Sequence, residues 1–84
     1  MVHIKAKKRY DHERIEMLRK DKGLNQTEIA RALNISQRSY SHYEVGDVNI
    51  PLDILCKLAW FHHTSIDYLL DLTDVAEPYP YKKE

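Results

Sequence analysis

The chain has 84 residues, 43% of them hydrophobic and 31% charged, which predicts one ordered domain with a modest core and no room for a second folded unit. A single cysteine, Cys56, excludes an internal disulfide and agrees with a reducing, cytoplasmic setting. Thirteen Lys/Arg balance thirteen Asp/Glu, which excludes a uniformly basic surface of the kind that binds phosphate backbones without sequence preference.

The balance conceals a gradient. Met1–Lys22 carries eight basic and four acidic residues, a net of +4, whereas Asp47–Glu84 carries three basic and seven acidic ones, a net of −4. Residues 1–10 read as a flexible basic arm. With four Lys/Arg in Met1–Arg9 and no apolar stretch, the start lacks the core of a signal peptide. The longest apolar runs, such as Leu58–Phe61, are far too short for a membrane span.

Five helices are predicted in residues 11–72, followed by an extended tail over 73–84. Asp11 is a candidate N-cap for the first helix, whose apolar face is Ile15 and Leu18 with Met17 beside it, and Gly23 suits the left-handed residue that ends it. In the second, Asn25-Gln26-Thr27-Glu28 has the form of a capping box, and Ile29, Ala30 and Leu33 face one side. Asn34 suits its left-handed stop, and only Ile35 separates that stop from Ser36, the next N-cap candidate. Two helices joined by so short a break follow the helix-turn-helix plan.

The third helix places Tyr40 and Tyr43 inward, with their hydroxyls expected at the rim, and Gly46 ends it. Pro51 suits the first turn of the fourth helix, for which Leu52, Leu55, Leu58 and Ala59 are the expected buried stripe. That stripe leaves Trp60 without an obvious burial site. Ser65 caps a short fifth helix in which Ile66, Leu69 and Leu70 pack inward. The tail places Pro78 and Pro80 around Tyr79, next to Tyr81.

The outward face of the third helix is built from Gln37, Arg38, Ser39, Ser41 and His42, all able to donate or accept hydrogen bonds. A DNA major groove presents a matching pattern of base-edge donors and acceptors, with Gln suited to adenine and Arg to guanine. The start of the second helix, at Gln26, suits a phosphate.

Asn25–Gly46, NQTEIARALNISQRSYSHYEVG, resembles the Cro/phage-repressor-type (XRE-like) helix-turn-helix. The resemblance runs from about Ile15 to Leu70, with Gln26, Ala30, Ile35, Ser39, Tyr43, Glu44 and Gly46 on signature positions. It implies an all-α, compact five-helix repressor-like domain with the helix-turn-helix at helices 2–3. The function it implies is a sequence-specific regulator of transcription that binds double-stranded DNA, most simply a repressor, as a homodimer on a roughly palindromic operator. Gln37, Arg38, Ser41 and His42 fall where base edges are touched. Gln26, Ser36 and Ser39 fall near phosphates, and Lys8 and Arg9 on the arm join them. Arg19 and Glu44 occupy positions that pair in some relatives; the alternative is an ordinary surface ion pair worth about 0–1 kcal/mol. Trp60 and Tyr68 are the expected dimer contacts.

One departure stands out. Where relatives carry basic or polar residues after the third helix, this chain has Asp47-Val48-Asn49-Ile50, and an aspartate aimed at DNA would repel it. A second reading follows: a protein-interaction module, or the antitoxin of a toxin–antitoxin pair, with the same fold and weak DNA binding. No cofactor or metal is expected. Adjacent His62 and His63 diverge by about 100° on a helix and cannot share one ion, and they are expected as helix-end residues. His3 and His12 are isolated, Cys56 is expected as a structural thiol, and no catalytic motif is present.

Overall fold

The computed structural model describes residues 13–78. The expected arm, Asp11, and the aromatic pair Tyr79 and Tyr81 lie outside them. Five helices follow in order: α1 Glu13–Asp21, α2 Gln26–Leu33, α3 Gln37–Val45, α4 Leu52–Phe61 and α5 Ile66–Leu69. No strand occurs among the described residues, and the fold is the all-α five-helix arrangement that the periodicity and caps predict. No helix among them is long and apolar enough to cross a membrane.

The helix ends obey local chemistry. After α1, Gly23 takes φ 69°, where a side chain would be strained. Its N–H reaches the Lys20 carbonyl at 2.9 Å and the Leu24 N–H the Arg19 carbonyl at 3.2 Å, a Schellman closure. Asn25 caps α2 with the full reciprocal box: its Oδ1 accepts from Glu28 N at 2.8 Å, and Glu28 Oε1 accepts from Asn25 N at 2.9 Å. Asn34 then ends α2 in the left-handed region at φ 60°. Ser36 caps α3, its Oγ accepting from Ser39 N at 3.0 Å.

The core is one cluster in which α1, α2 and α3 contribute Ile15, Ile29, Ala30, Leu33, Tyr40 and Tyr43, and α4 and α5 contribute Ile54, Leu58, Ala59 and Leu69. Two expectations change here. The buried stripe of α4 is Ile54, Leu58 and Ala59, with Leu55 only partly buried and Leu52 70% exposed. On a helix Ile54 lies within about 40° of Leu58 whereas Leu52 lies about 120° away, and the packing selects the first. Tyr40 is wholly buried, hydroxyl included, and that hydroxyl has no aligned partner among the described residues.

Arg14 ties α1 to the far end of the chain. Its Nη1 donates to the carbonyls of Tyr68 (3.1 Å) and Thr73 (2.9 Å), and its Nη2 pairs with Asp71 at 2.9 Å. The guanidinium also lies 4.0 Å from the centre of the Tyr68 ring, a cation–π contact. The Thr64 hydroxyl donates to the Ala76 carbonyl, so the segment after α5 is held back against the helices. Trp60 remains 63% exposed on the outside of α4.

His62, expected at a helix end, is more than a cap. It continues the buried stripe one turn past Leu58 and is 7% exposed. Neither ring nitrogen has a hydrogen-bond partner among the described residues, and the ring meets Phe61 edge-on at 5.1 Å. Burial, followed by the charge of Lys22, lowers its pKa to about 4. The unfolded chain takes up this proton near the ordinary histidine value of about 6.5 and the folded chain only near 4. The stability this gives is therefore complete above about pH 6.5 and is lost as pH falls toward 4, with a slope approaching about 1 kcal/mol per pH unit. Urea melts between pH 7 and 5 should follow that slope in the native chain, and His62→Phe should flatten it.

Candidate nucleic-acid interface

The outer face of α3 is positioned by a chain of hydrogen bonds that begins in the core of the bundle. Arg19 on α1 donates to Glu44, near the end of α3, through Nε at 2.6 Å and through Nη2 at 3.0 Å. Its Nη1 holds the Leu24 carbonyl at 2.8 Å. The pair is withdrawn from solvent, with the Arg19 side chain 10% and the Glu44 side chain 3% exposed. An ordinary surface ion pair is thereby excluded; this is a bidentate, charge-assisted contact in a low-dielectric setting.

Burial pushes the Glu44 carboxyl up, but hydrogen bonds from Arg19, the closeness of the Tyr40 hydroxyl and a hydrogen bond from Gln26 outweigh it and hold the group below the usual carboxylate range. The same hydrogen bond to Glu44 raises Arg19 against its own burial. Tyr40 is raised in turn, by burial first and then by the adjacent carboxylate. All three groups keep their ordinary neutral-pH charge.

Glu44 passes this order outward. Its Oε1 accepts from Gln26 Nε2 at 3.0 Å, and Gln26 Oε1 then accepts from Gln37 Nε2 at 2.8 Å. A carboxylate can only accept, so the Gln26 amide must point its NH₂ at Glu44 and its carbonyl at Gln37. Gln37 is left with its own carbonyl and one N–H for an outside partner. These are the two groups that a bidentate contact with adenine requires.

The other residues predicted on α2, α3 and the turn between them are open to solvent to differing degrees. Gln37, Arg38 and Ser36 are exposed, and Gln26, Ser39, Ser41 and His42 are partly exposed. Ser36 and Ser39 are joined through their hydroxyls at 2.9 Å, so both hydroxyls already serve the helix start. Lys8 and Arg9 lie outside the described residues. Trp60 and Tyr68 lie away from α3, on α4 and α5; Trp60 is open and Tyr68 is partly covered by Arg14.

Two features of this face were not foreseen from the sequence. Val45 is 66% exposed at the end of α3, so the face is not wholly polar. Asp47 does not stand alone: both of its carboxylate oxygens lie 3.1 Å from His42 Nδ1. Gly46, at φ 82° with its N–H on the His42 carbonyl, turns the chain back so that residue 47 reaches residue 42. The signal available in the sequence was glycine at a helix stop, read as a terminator and not as a reversal.

Residues 15–69 match the helix-turn-helix family. The chain is similar to the uncharacterised HTH-type transcriptional regulator YobD of Bacillus subtilis (strain 168), with 38% identity over 66 residues that cover 79% of this chain and 59% of that protein. It is also similar to a solved transcriptional regulator from Listeria innocua, with a TM-score of 0.70 and 29% identity over 81% of this chain and 64% of the other. The chain thus spans about three fifths of the length of these relatives.

The buried pair makes the interface depend on the core. Glu44→Ala should lower unfolding free energy by about 3–5 kcal/mol, because it strands a buried guanidinium. Combining it with Arg19→Met should cost less than the two single changes added, and a double-mutant cycle by urea denaturation measures the difference.

Proposed function

The chain belongs to the helix-turn-helix family, and on that footing we propose that it is a sequence-specific regulator of transcription that reads double-stranded DNA with α3 in the major groove. The observation that carries this reading is the relay Arg19–Glu44–Gln26–Gln37, which fixes the polarity of an exposed amide at the start of α3. A side chain on a merely solvated helix face has no need of such bracing. The relatives' names, both transcriptional regulators, support the same role.

In this reading Gln37, Arg38, Ser41 and His42 meet base edges. The N-terminus of α2 at Gln26, together with Ser36 and Ser39, meets phosphate, assisted by Lys8 and Arg9 from the arm. Arg38 is exposed and among the described residues makes no ion pair, so its guanidinium is available for guanine. The role is that of a repressor, exercised as a homodimer whose two α3 helices enter successive major grooves about one helical turn apart. Trp60 supports that assembly, since a large exposed aromatic commonly marks an interface core, and Tyr68 lies in the neighbouring helix.

Selection from a random duplex library at near-physiological salt tests the reading, with a short inverted repeat as the expected product. Arg38→Ala should then cost about 1–3 kcal/mol on that site and relax preference at one base pair; a uniform loss on all DNA would make Arg38 a phosphate contact instead. If the library yields nothing above background, the balanced charge and exposed Trp60 favour the protein-interaction reading. Light scattering at high micromolar concentration should give a dimer that Trp60→Ala weakens, and a monomer both free and on DNA would refute the homodimer.

A further inference from the structure

Asp47 occupies the place after α3 where a negative charge opposes a DNA backbone, yet it is turned toward His42 and not away from the reading face. Both oxygens of its carboxylate lie 3.1 Å from His42 Nδ1. A carboxylate has no hydrogen to offer, so the ring nitrogen it faces must carry one. In the neutral imidazole that leaves Nε2 without a hydrogen, as an acceptor. An unconstrained histidine side chain favours the other tautomer, with the hydrogen on Nε2. The local geometry therefore reverses the ring's intrinsic preference.

The reversal changes what His42 can recognise. In the major groove adenine N6 and cytosine N4 are donors, while adenine N7, guanine N7 and O6 and thymine O4 are acceptors, so each pair shows a donor base on one strand and guanine or thymine on the other. On the strand it faces, an imidazole with a bare Nε2 selects adenine or cytosine, whereas one with Nε2–H bonds guanine, thymine or adenine N7. We propose that Asp47 is a specificity-determining positioning residue: it fixes the His42 tautomer and so commits α3 to a base bearing an exocyclic amine, adenine or cytosine, on the one strand that His42 faces at its base pair. This rests on the DNA-reading function proposed above.

The two side chains are 43% and 46% exposed, so in the free protein the contact adds little to folding stability, while the small free-energy gap between tautomers still lets it decide which ring nitrogen carries the hydrogen. Seating against a base edge removes water from around the ring and strengthens the same hydrogen bond. The arrangement also accounts for an acidic residue at an unfavourable place: its charge weakens phosphate contact in general, while its hydrogen bond sharpens one base choice. A simple repulsive role needs no approach to His42 at all.

Two measurements at about pH 8 test this. Ring ¹⁵N–¹H correlation spectra of the intact chain should place the His42 hydrogen on Nδ1, and Asp47→Ala should move it mainly to Nε2. Selection from a random duplex library should single out the one base pair whose preference His42→Ala abolishes, and removing the exocyclic amine there, with purine for adenine or pyrimidin-2-one for cytosine, should weaken binding by the native chain but not by His42→Ala. Asp47→Ala should admit guanine and thymine on the strand that His42 faces at that pair, leaving the choices made by Gln37 and Arg38 unchanged. Asp47 is exposed and ends no helix, so the variant should fold, and its circular dichroism checks that. Undiminished binding by the native chain when that exocyclic amine is removed, an unchanged preference in Asp47→Ala, or a hydrogen on Nε2 in the native chain would overturn the proposal while sparing DNA reading. A library that enriches nothing would overturn both.

Discussion

The Arg19–Glu44 contact governs the arrangement of the helices around α3. It joins residues 25 positions apart, one on α1 and one in the last turn of α3, through two hydrogen bonds that leave both groups nearly dry. Desolvating two charges is expensive, and only good geometry with further hydrogen bonds offsets it. Those further bonds are present: the Leu24 carbonyl accepts from Arg19 Nη1 on one side, and Gln26 donates to the carboxylate on the other. A rotation or slide of α3 would strand a charge in the core. An ion pair that adds little net stability can in this way add a great deal of positional definition, and the reading face inherits it.

α1 carries a second arginine that works on the same plan. Arg14 combines a close carboxylate, Asp71 at 2.9 Å, and a looser one, Asp74 at 3.9 Å, with two backbone carbonyls, at Tyr68 and Thr73. In both cases the fork of the guanidinium matches several acceptors at once, something a lysine cannot do. One arginine fixes α3 and the other fixes the segment after α5, so a single nine-residue helix orients both the proposed DNA face and the end of the described chain. Between them, the turn from α2 to α3 combines local chemistry, a left-handed Asn34, a single intervening Ile35 and the Ser36 cap, with one distant contact, Lys57 Nζ donating to the Leu33 carbonyl at 3.2 Å.

A chain without net charge must read DNA, if it does, by arrangement and not by bulk attraction. Several of its acidic groups near α3 and α5 are committed inside the molecule. Glu44 serves Arg19 and Gln26, Asp71 serves Arg14, and Asp47 faces His42. Arg38 stands exposed amid polar neighbours. The basic excess before residue 23 and the acidic excess after residue 46 leave α3 itself close to neutral. Weak non-specific binding with selectivity concentrated in a few directed hydrogen bonds is the consequence expected from such a distribution.

Helix number, the caps at Asn25, Ser36 and Ser65, the stops at Gly23, Asn34 and Gly46, and the inward Tyr40 and Tyr43 were all legible in the sequence, because each depends on neighbours within one turn of chain. The resemblance of Asn25–Gly46 to a helix-turn-helix was legible for the same reason. The face that α4 buries was not, since Leu52, Ile54 and Leu55 are equally apolar and only contact with α2 and α5 chooses among them. Nor was the burial of His62, the Arg14 anchor on a segment more than 50 residues away, or the turning of Asp47 onto His42. The sequence determined which residues could form helices and which side chains could recognise a base. Tertiary structure alone decided which charges meet, because an ion pair or a buried ring is defined by distance in space, and no local rule reports that distance.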